Sequence, residues 1–225
     1  MSERVNHRLP RVLLSLIAAL LLAFVIGYIG VSGVGGEPIG VEKASAYPGT
    51  YVEDITVTAK QDASKYWYNW FADNGYADYW VTPRLYLHNG YDGPYYWNNE
   101  IHYSENWRMG IDYGDGAIAA VMAHEVGHHV QNLFGILDMK AGGQLYTVHT
   151  ELQADCLAGA YMAEAYWDGM LDNNDYQQAR NWMYNAGDGL PVDDADHHGS
   201  GQQRLEWFEY GWDTEDPAEC AGALG

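Results

Sequence analysis

With 225 residues, 48% of them hydrophobic, 9 Trp and 19 Tyr, the chain has the composition of a packed globular domain rather than a disordered one. The formal net charge is −20, and from Tyr47 onward 28 acidic residues stand against 7 basic ones. Such a field repels phosphate backbones and anionic headgroups, so composition argues against nucleic-acid binding and requires any membrane attachment to be hydrophobic.

Residues 1–11 hold Arg4, Arg8 and Arg11, and the next 23, from Val12 to Val34, carry no charge. A helix of about 20 such residues spans a bilayer. The run is predicted to be a retained signal anchor with residues 1–11 in the cytoplasm and everything after it outside, following the positive-inside rule. Ala44-Ser45-Ala46 offers a cleavage site well beyond the apolar stretch, so the alternative is secretion after cleavage near Ala46. Residues 35–49, punctuated by Gly and Pro, read as a linker, and residues 50–225 as one domain.

Within the domain, Tyr66, Trp67, Trp70 and Phe71 fit one face of a helix over 59–72, stopped by Asp73-Asn74-Gly75. Period-two alternation over 84–88 and 100–104, separated by the turn cluster Gly90 to Pro94, predicts a small antiparallel sheet. A helix is expected over 115–133 with Asp115 as its N-cap, a second over about 147–166, and a third over about 175–185. Ser200-Gly201-Gln202-Gln203 has the form of a capping box and opens a last helix.

The chemistry-bearing segment lies on the helix over 115–133, where Ala123 to His129 reads AHEVGHH. At 3.6 residues per turn His124 and His128 stand one above the other, so both imidazoles can reach one tetrahedral zinc. Glu125 projects about 100° around the helix from His124 and can approach a water at the metal without ligating it. Ala119, Ala120, Ala123 and Gly127 allow another helix to pack closely. A catalytic zinc needs a third protein ligand and an open position. Glu151, on the helix over 147–166, is the best candidate, with Asp155 or His149 as substitutes. Asp155 lies at i+4 from Glu151 and can hydrogen-bond the free nitrogen of a ligand histidine. His198 is the candidate oxyanion donor, with His197 and Arg204 behind it; a loop histidine bonded near the helix start is the competing reading. His129 reads as structural, and His88 and His102 carry no assignment. Cys156 and Cys220, the two cysteines, can form one bridge in an oxidising compartment, stapling the tail against the active-site layer.

Three blocks in order, AHEVGHHVQ over 123–131, ELQADCLAG over 151–159 and HGSGQQRLEWF over 198–208, resemble the neutral zinc metallopeptidase family, a bacterial group with HExxH followed by an ELQADC block. The resemblance spans roughly Asp62 to Cys220 and implies that His124, His128 and Glu151 ligate zinc while Glu125 is the catalytic base. Two departures stand out: residues 91–97 lack the cysteines of many relatives, and Asp188-Gly189 replaces a usual acidic pair. The expectation is an α+β, zincin-like fold, mainly helical with a small antiparallel sheet, preceded by one transmembrane helix. The expected function is a membrane-anchored extracytoplasmic zinc metallopeptidase with one zinc ion, acting on a peptide or protein. A zinc hydrolase of a non-peptide amide, or a membrane-tethered binding or assembly protein with a structural zinc, are the alternatives.

Overall fold

The computed structural model describes residues 51–224. The expected cytoplasmic segment 1–11, transmembrane anchor 12–34 and linker 35–49 lie outside the described residues. Among those described, no helix is long and apolar enough to cross a membrane.

The chain runs α1 (Tyr51–Asp73), β1 (Arg84–His88), β2 (Tyr95–Trp97), β3 (Glu100–Ser104), α2 (Arg108–Tyr113), α3 (Asp115–Leu133), α4 (Ile136–Ala141), α5 (Thr147–Trp167), α6 (Asn173–Asn185) and α7 (Gly201–Thr214). A 3-10 turn, Pro217–Leu224, follows. The α+β, mainly helical expectation holds.

α3 is the central helix: every residue from Gly116 to Gln131 is buried, and α1, α5 and α6 all pack against it. Its apolar and small residues surround the helix, and its polar side chains, His124, Glu125, His128, His129 and Gln131, are buried with them. α1 supplies Ala63, Trp67 and Phe71 to the core, with Tyr66 and Trp70 half-buried against it. α5 packs between α3 and α7, which its small residues make possible. At Gly127 of α3 an added Cβ would stand 3.2 Å from the Ala154 carbonyl oxygen. At Gly159 of α5 it would stand 2.1 Å from the Phe208 carbonyl oxygen of α7, a backbone contact that only glycine permits.

The sheet departs from expectation. It has three strands in the order β1-β3-β2, with β1 parallel to β3 and only β2 antiparallel to it. The turn cluster Gly90 to Pro94 does not fold β1 back on β3. It carries the chain across to β2, and the reversal falls at Asn98 and Asn99, whose φ values are 49° and 66°. A two-residue hairpin loop with both φ positive suits the right-handed strand twist, and asparagine tolerates that backbone. β3 therefore enters between its predecessors. Leu85, Leu87, Ile101 and Tyr103 point into the core.

Helix ends show three further corrections. α1 begins at Tyr51, eight residues before the expected start at Ala59. Asp115 is not the N-cap of α3 but its first helical residue, the cap being Gly114 with φ 99°. α6 starts two residues earlier than expected, capped by Asp172 with Asp175 completing a capping box. The box at Ser200 and Gln203 forms as expected and opens α7. Cys156 of α5 and Cys220 are joined in a disulfide, closing a separation of 64 residues and holding the tail against the middle of α5.

Candidate metal centre

His124 and His128 of α3 meet Glu151 of α5 at the floor of a cleft of about 440 Å³. Nε2 of His124 is 3.3 Å from one Glu151 oxygen, and Nε2 of His128 is 3.4 Å from the other. Two donors held about 2.0 to 2.1 Å from a tetrahedral zinc stand about 3.3 Å apart, so the spacing fits that ion. These three side chains offer ligand atoms within 4.8 Å of one another, and no other such group of His, Cys, Asp or Glu occurs among the described residues. Neither substitute joins them.

The outer partners fix which nitrogen faces the cluster. Nδ1 of His124 lies 2.7 Å from Asp155 Oδ1. An ionised carboxylate only accepts, so Nδ1 carries the proton and the Nε2 lone pair is left for a metal. Nδ1 of His128 lies 2.8 Å from Gln131 Oε1, while Gln131 Nε2 donates to the Thr150 carbonyl at 2.6 Å and to Gln153 Oε1 at 3.0 Å. Those donations set the amide's orientation, so His128 also donates from Nδ1. Asp155 is wholly buried and receives two bonds from the Arg204 guanidinium of α7, at 2.8 and 2.9 Å. Burial opposes its charge, but Arg204 and His124 hold its carboxyl below the usual range.

The imidazoles and carboxylates of the cluster interact strongly. Burial works against a charge on His124, yet the Asp155 and Glu151 carboxylates raise it to about 10. Glu151 is in turn held well below the ordinary carboxylate range by the two imidazoles, despite its burial. Glu125, 5% exposed, differs from both: burial pushes its carboxyl up, offset in part by His124 and His128. Its Oε2 is buried without a hydrogen-bond partner. A raised, unengaged carboxylate beside a metal site is the condition of a proton acceptor.

The cleft walls come from four places. Pro94 and Tyr95 belong to the β2 side, Trp107 and Trp182 stand edge to face at 6.3 Å, α4 contributes Leu137 and Lys140, and His198 closes the far side. His198 does line the cleft, 51% exposed at its side chain. Asp188 positions it: one carboxylate oxygen accepts from the His198 backbone N–H at 2.8 Å, the other from His197 Nδ1 at 2.6 Å and the Leu190 N–H at 2.9 Å. Although burial opposes it, those bonds hold Asp188 down to about 2. His197 is buried against Asp188 and does not reach the cleft, and Arg204 serves Asp155 rather than His198. Arg204 also lies 5.2 Å over the Trp182 ring.

His129 is structural, fully buried and lowered to about 4 chiefly by that burial, between the Val81 carbonyl and the Tyr96 hydroxyl. His88 and His102 stack on each other on the outer sheet face, 2.8 Å between ring nitrogens, away from the cluster. Sequence reasoning gave no role to Gln131, Asp188, Trp107, Trp182 or Lys140. For Gln131 a signal existed, its position at i+3 from His128; for the rest, placement depends on tertiary folding.

The family model described as putative neutral zinc metallopeptidase matches residues 87–222. Uncharacterized protein YpfJ of Escherichia coli is 37% identical over 146 residues, covering 57% of this chain and 50% of that protein. Uncharacterized protein Rv2575 of Mycobacterium tuberculosis is 37% identical over 136 residues, covering 50% of this chain and 46% of that one. The chain thus spans about half the length of the curated relatives it matches. No solved structure matches. A family match over most of the described fold, on a chain whose histidines and glutamate converge as a zinc site requires, places the protein in the putative neutral zinc metallopeptidase family.

Proposed function

We propose that the protein is a membrane-anchored, extracytoplasmic zinc-dependent metallopeptidase that hydrolyses peptide bonds with Glu125 as general base. The observation that carries this reading is the buried Glu125 oxygen without a partner, on the cleft floor beside three converging ligand side chains. Among the described residues no fourth Cys, His or acidic side chain joins them, which leaves room for substrate.

Nε2 of His124, Nε2 of His128 and the Glu151 carboxylate would hold the zinc, which when bound supplies Lewis-acid polarisation of the scissile carbonyl and of a water. Glu125 takes the water's proton and passes it to the leaving amine. Asp155 and Gln131 keep both ligand imidazoles in the Nδ1–H tautomer throughout. β2 is hydrogen-bonded to β3 on one side only and borders the cleft, so its other edge offers backbone groups to an extended peptide. His198 is proposed to donate a hydrogen bond to the carbonyl oxygen as negative charge develops there.

Whether the zinc-loaded chain hydrolyses an unstructured protein, and whether that needs Glu125, tests the reading. For the oxyanion role, His198→Ala is expected to lower kcat about 10²-fold with zinc content retained. Unchanged turnover removes the role. The extracytoplasmic placement is supported by the uncharged run over 12–34, the arginines before it, and the Cys156–Cys220 disulfide, which persists in oxidising compartments. Retention in alkaline-washed membranes with an intact N-terminus is expected; a soluble product beginning near Ala46 identifies the secreted form instead.

A further inference from the structure

Five of the seven basic residues after Tyr47 fall into two groups: arginines, each paired with a carboxylate, and one buried lysine. Arg84 pairs with Glu100, Arg108 with Asp112, Arg180 with Glu209 and Arg204 with Asp155. Lys60 lies on the buried face of α1, where burial lowers it to about 8. Lys65 is exposed near Asp62 on the same helix. Lys140 differs from all of these. It lines the cleft of the metal centre, and it has no ion-pair or hydrogen-bond partner for its ammonium among the described residues.

Its position follows from the connection between the two ligand helices. α4 bridges α3, which carries His124 and His128, and α5, which carries Glu151, so α4 stands at the mouth of the site. Leu137 and Lys140 are one turn apart on it, and both face the cleft. The other cation of the cleft, Arg204, is committed to Asp155 and the Ala186 carbonyl. Among the described residues Lys140 is therefore the one uncommitted Lys or Arg side chain of the cleft.

On a domain with 28 acidic and 7 basic residues, an anionic group on a ligand meets repulsion over most of the surface. A lone ammonium at the cleft mouth reverses that sign locally, and local charge complementarity sets partner choice. We propose that Lys140 is a specificity-determining residue that binds a carboxylate of the substrate, so that the preferred substrates are peptides with an acidic side chain, or their own C-terminal carboxylate, close to the scissile bond. This rests on the peptidase reading for the word substrate, but the binding preference can be measured without catalysis. The contact is half-exposed and weakens as salt rises.

The test uses the zinc-loaded chain carrying Glu125→Gln, so that peptides bind without turnover, alone and combined with K140E or K140R. The probes are alanine-based octapeptides with a central Phe and one Glu, Gln or Lys scanned along them, each with a free or an amidated C-terminus. At low salt the Glu or free-acid peptide is expected to bind about tenfold more tightly than its neutral counterpart; K140R keeps that order, and K140E reverses it in favour of the Lys peptide. Loss of the preference on amidation alone assigns the terminal carboxylate, and persistence of the Glu preference assigns the side chain. The same order of affinities with and without K140E, or no binding by any peptide at equal zinc content, overturns the inference. Failure of the peptidase reading registers separately, as absence of hydrolysis of these peptides by the unsubstituted chain.

Discussion

Behind each histidine of the cluster stands a hydrogen-bond acceptor: Asp155, on the neighbouring helix, for His124 and Gln131, one turn along the same helix, for His128. Asp155 could be read from sequence because it lies four residues from Glu151, one turn along the same helix. Gln131 is equally local to His128, but its use depends on Thr150 and Gln153 across the helix interface, which no periodicity reveals. Asp188 and Lys140 are not legible in the sequence either: one acts on a loop residue ten positions away, and the other matters because no ion-pair or hydrogen-bond partner meets it among the described residues. If Asp155 sets the His124 tautomer, Asp155→Asn is expected to weaken zinc affinity about 10- to 100-fold, as loss of such partners does. Competition against a chelator of known affinity measures it, with circular dichroism confirming the fold. Unchanged affinity means that packing alone orients the imidazole.

Helices were legible where one face of the pattern carried through to a real boundary. α3 occupies the expected 115–133 because its apolar and small residues run around the whole helix, and its polar residues His124, Glu125, His128, His129 and Gln131 are buried with them. In the sheet the Gly/Pro-rich cluster at 90–94 signals a reversal, but the reversal is the Asn98-Asn99 pair, and β2, only three residues long, is too short to show a period. α5 is the element on which ligand, outer partner and covalent staple coincide, in Glu151, Asp155 and Cys156. A bridge closing a 64-residue separation removes about 4 kcal/mol of loop entropy from the unfolded chain. Replacing both cysteines by serine is expected to lower stability by about 2 to 4 kcal/mol in denaturant unfolding. A midpoint unchanged from that of the oxidised protein contradicts a stabilising role.

Among the described residues, the buried two-helix metal site and the open edge of β2 meet at one cleft. Its floor, formed by α3 and α5, is buried. Its rim, from β2, α4 and the loop held by Asp188, carries the groups that differ from the helical core in exposure and charge. The catalytic claim rests on Glu125, the one charged floor residue outside the ligand set that presents a buried, unpartnered oxygen. The most direct measurement is hydrolysis of an unstructured protein by the zinc-loaded chain, with Glu125 intact and as Glu125→Gln, at zinc contents matched by metal analysis. Loss of about 10² to 10⁴ in rate with zinc retained is the predicted result, the range expected on removing a general base. Hydrolysis by Glu125→Gln at the unsubstituted rate, with equal zinc bound, would contradict it.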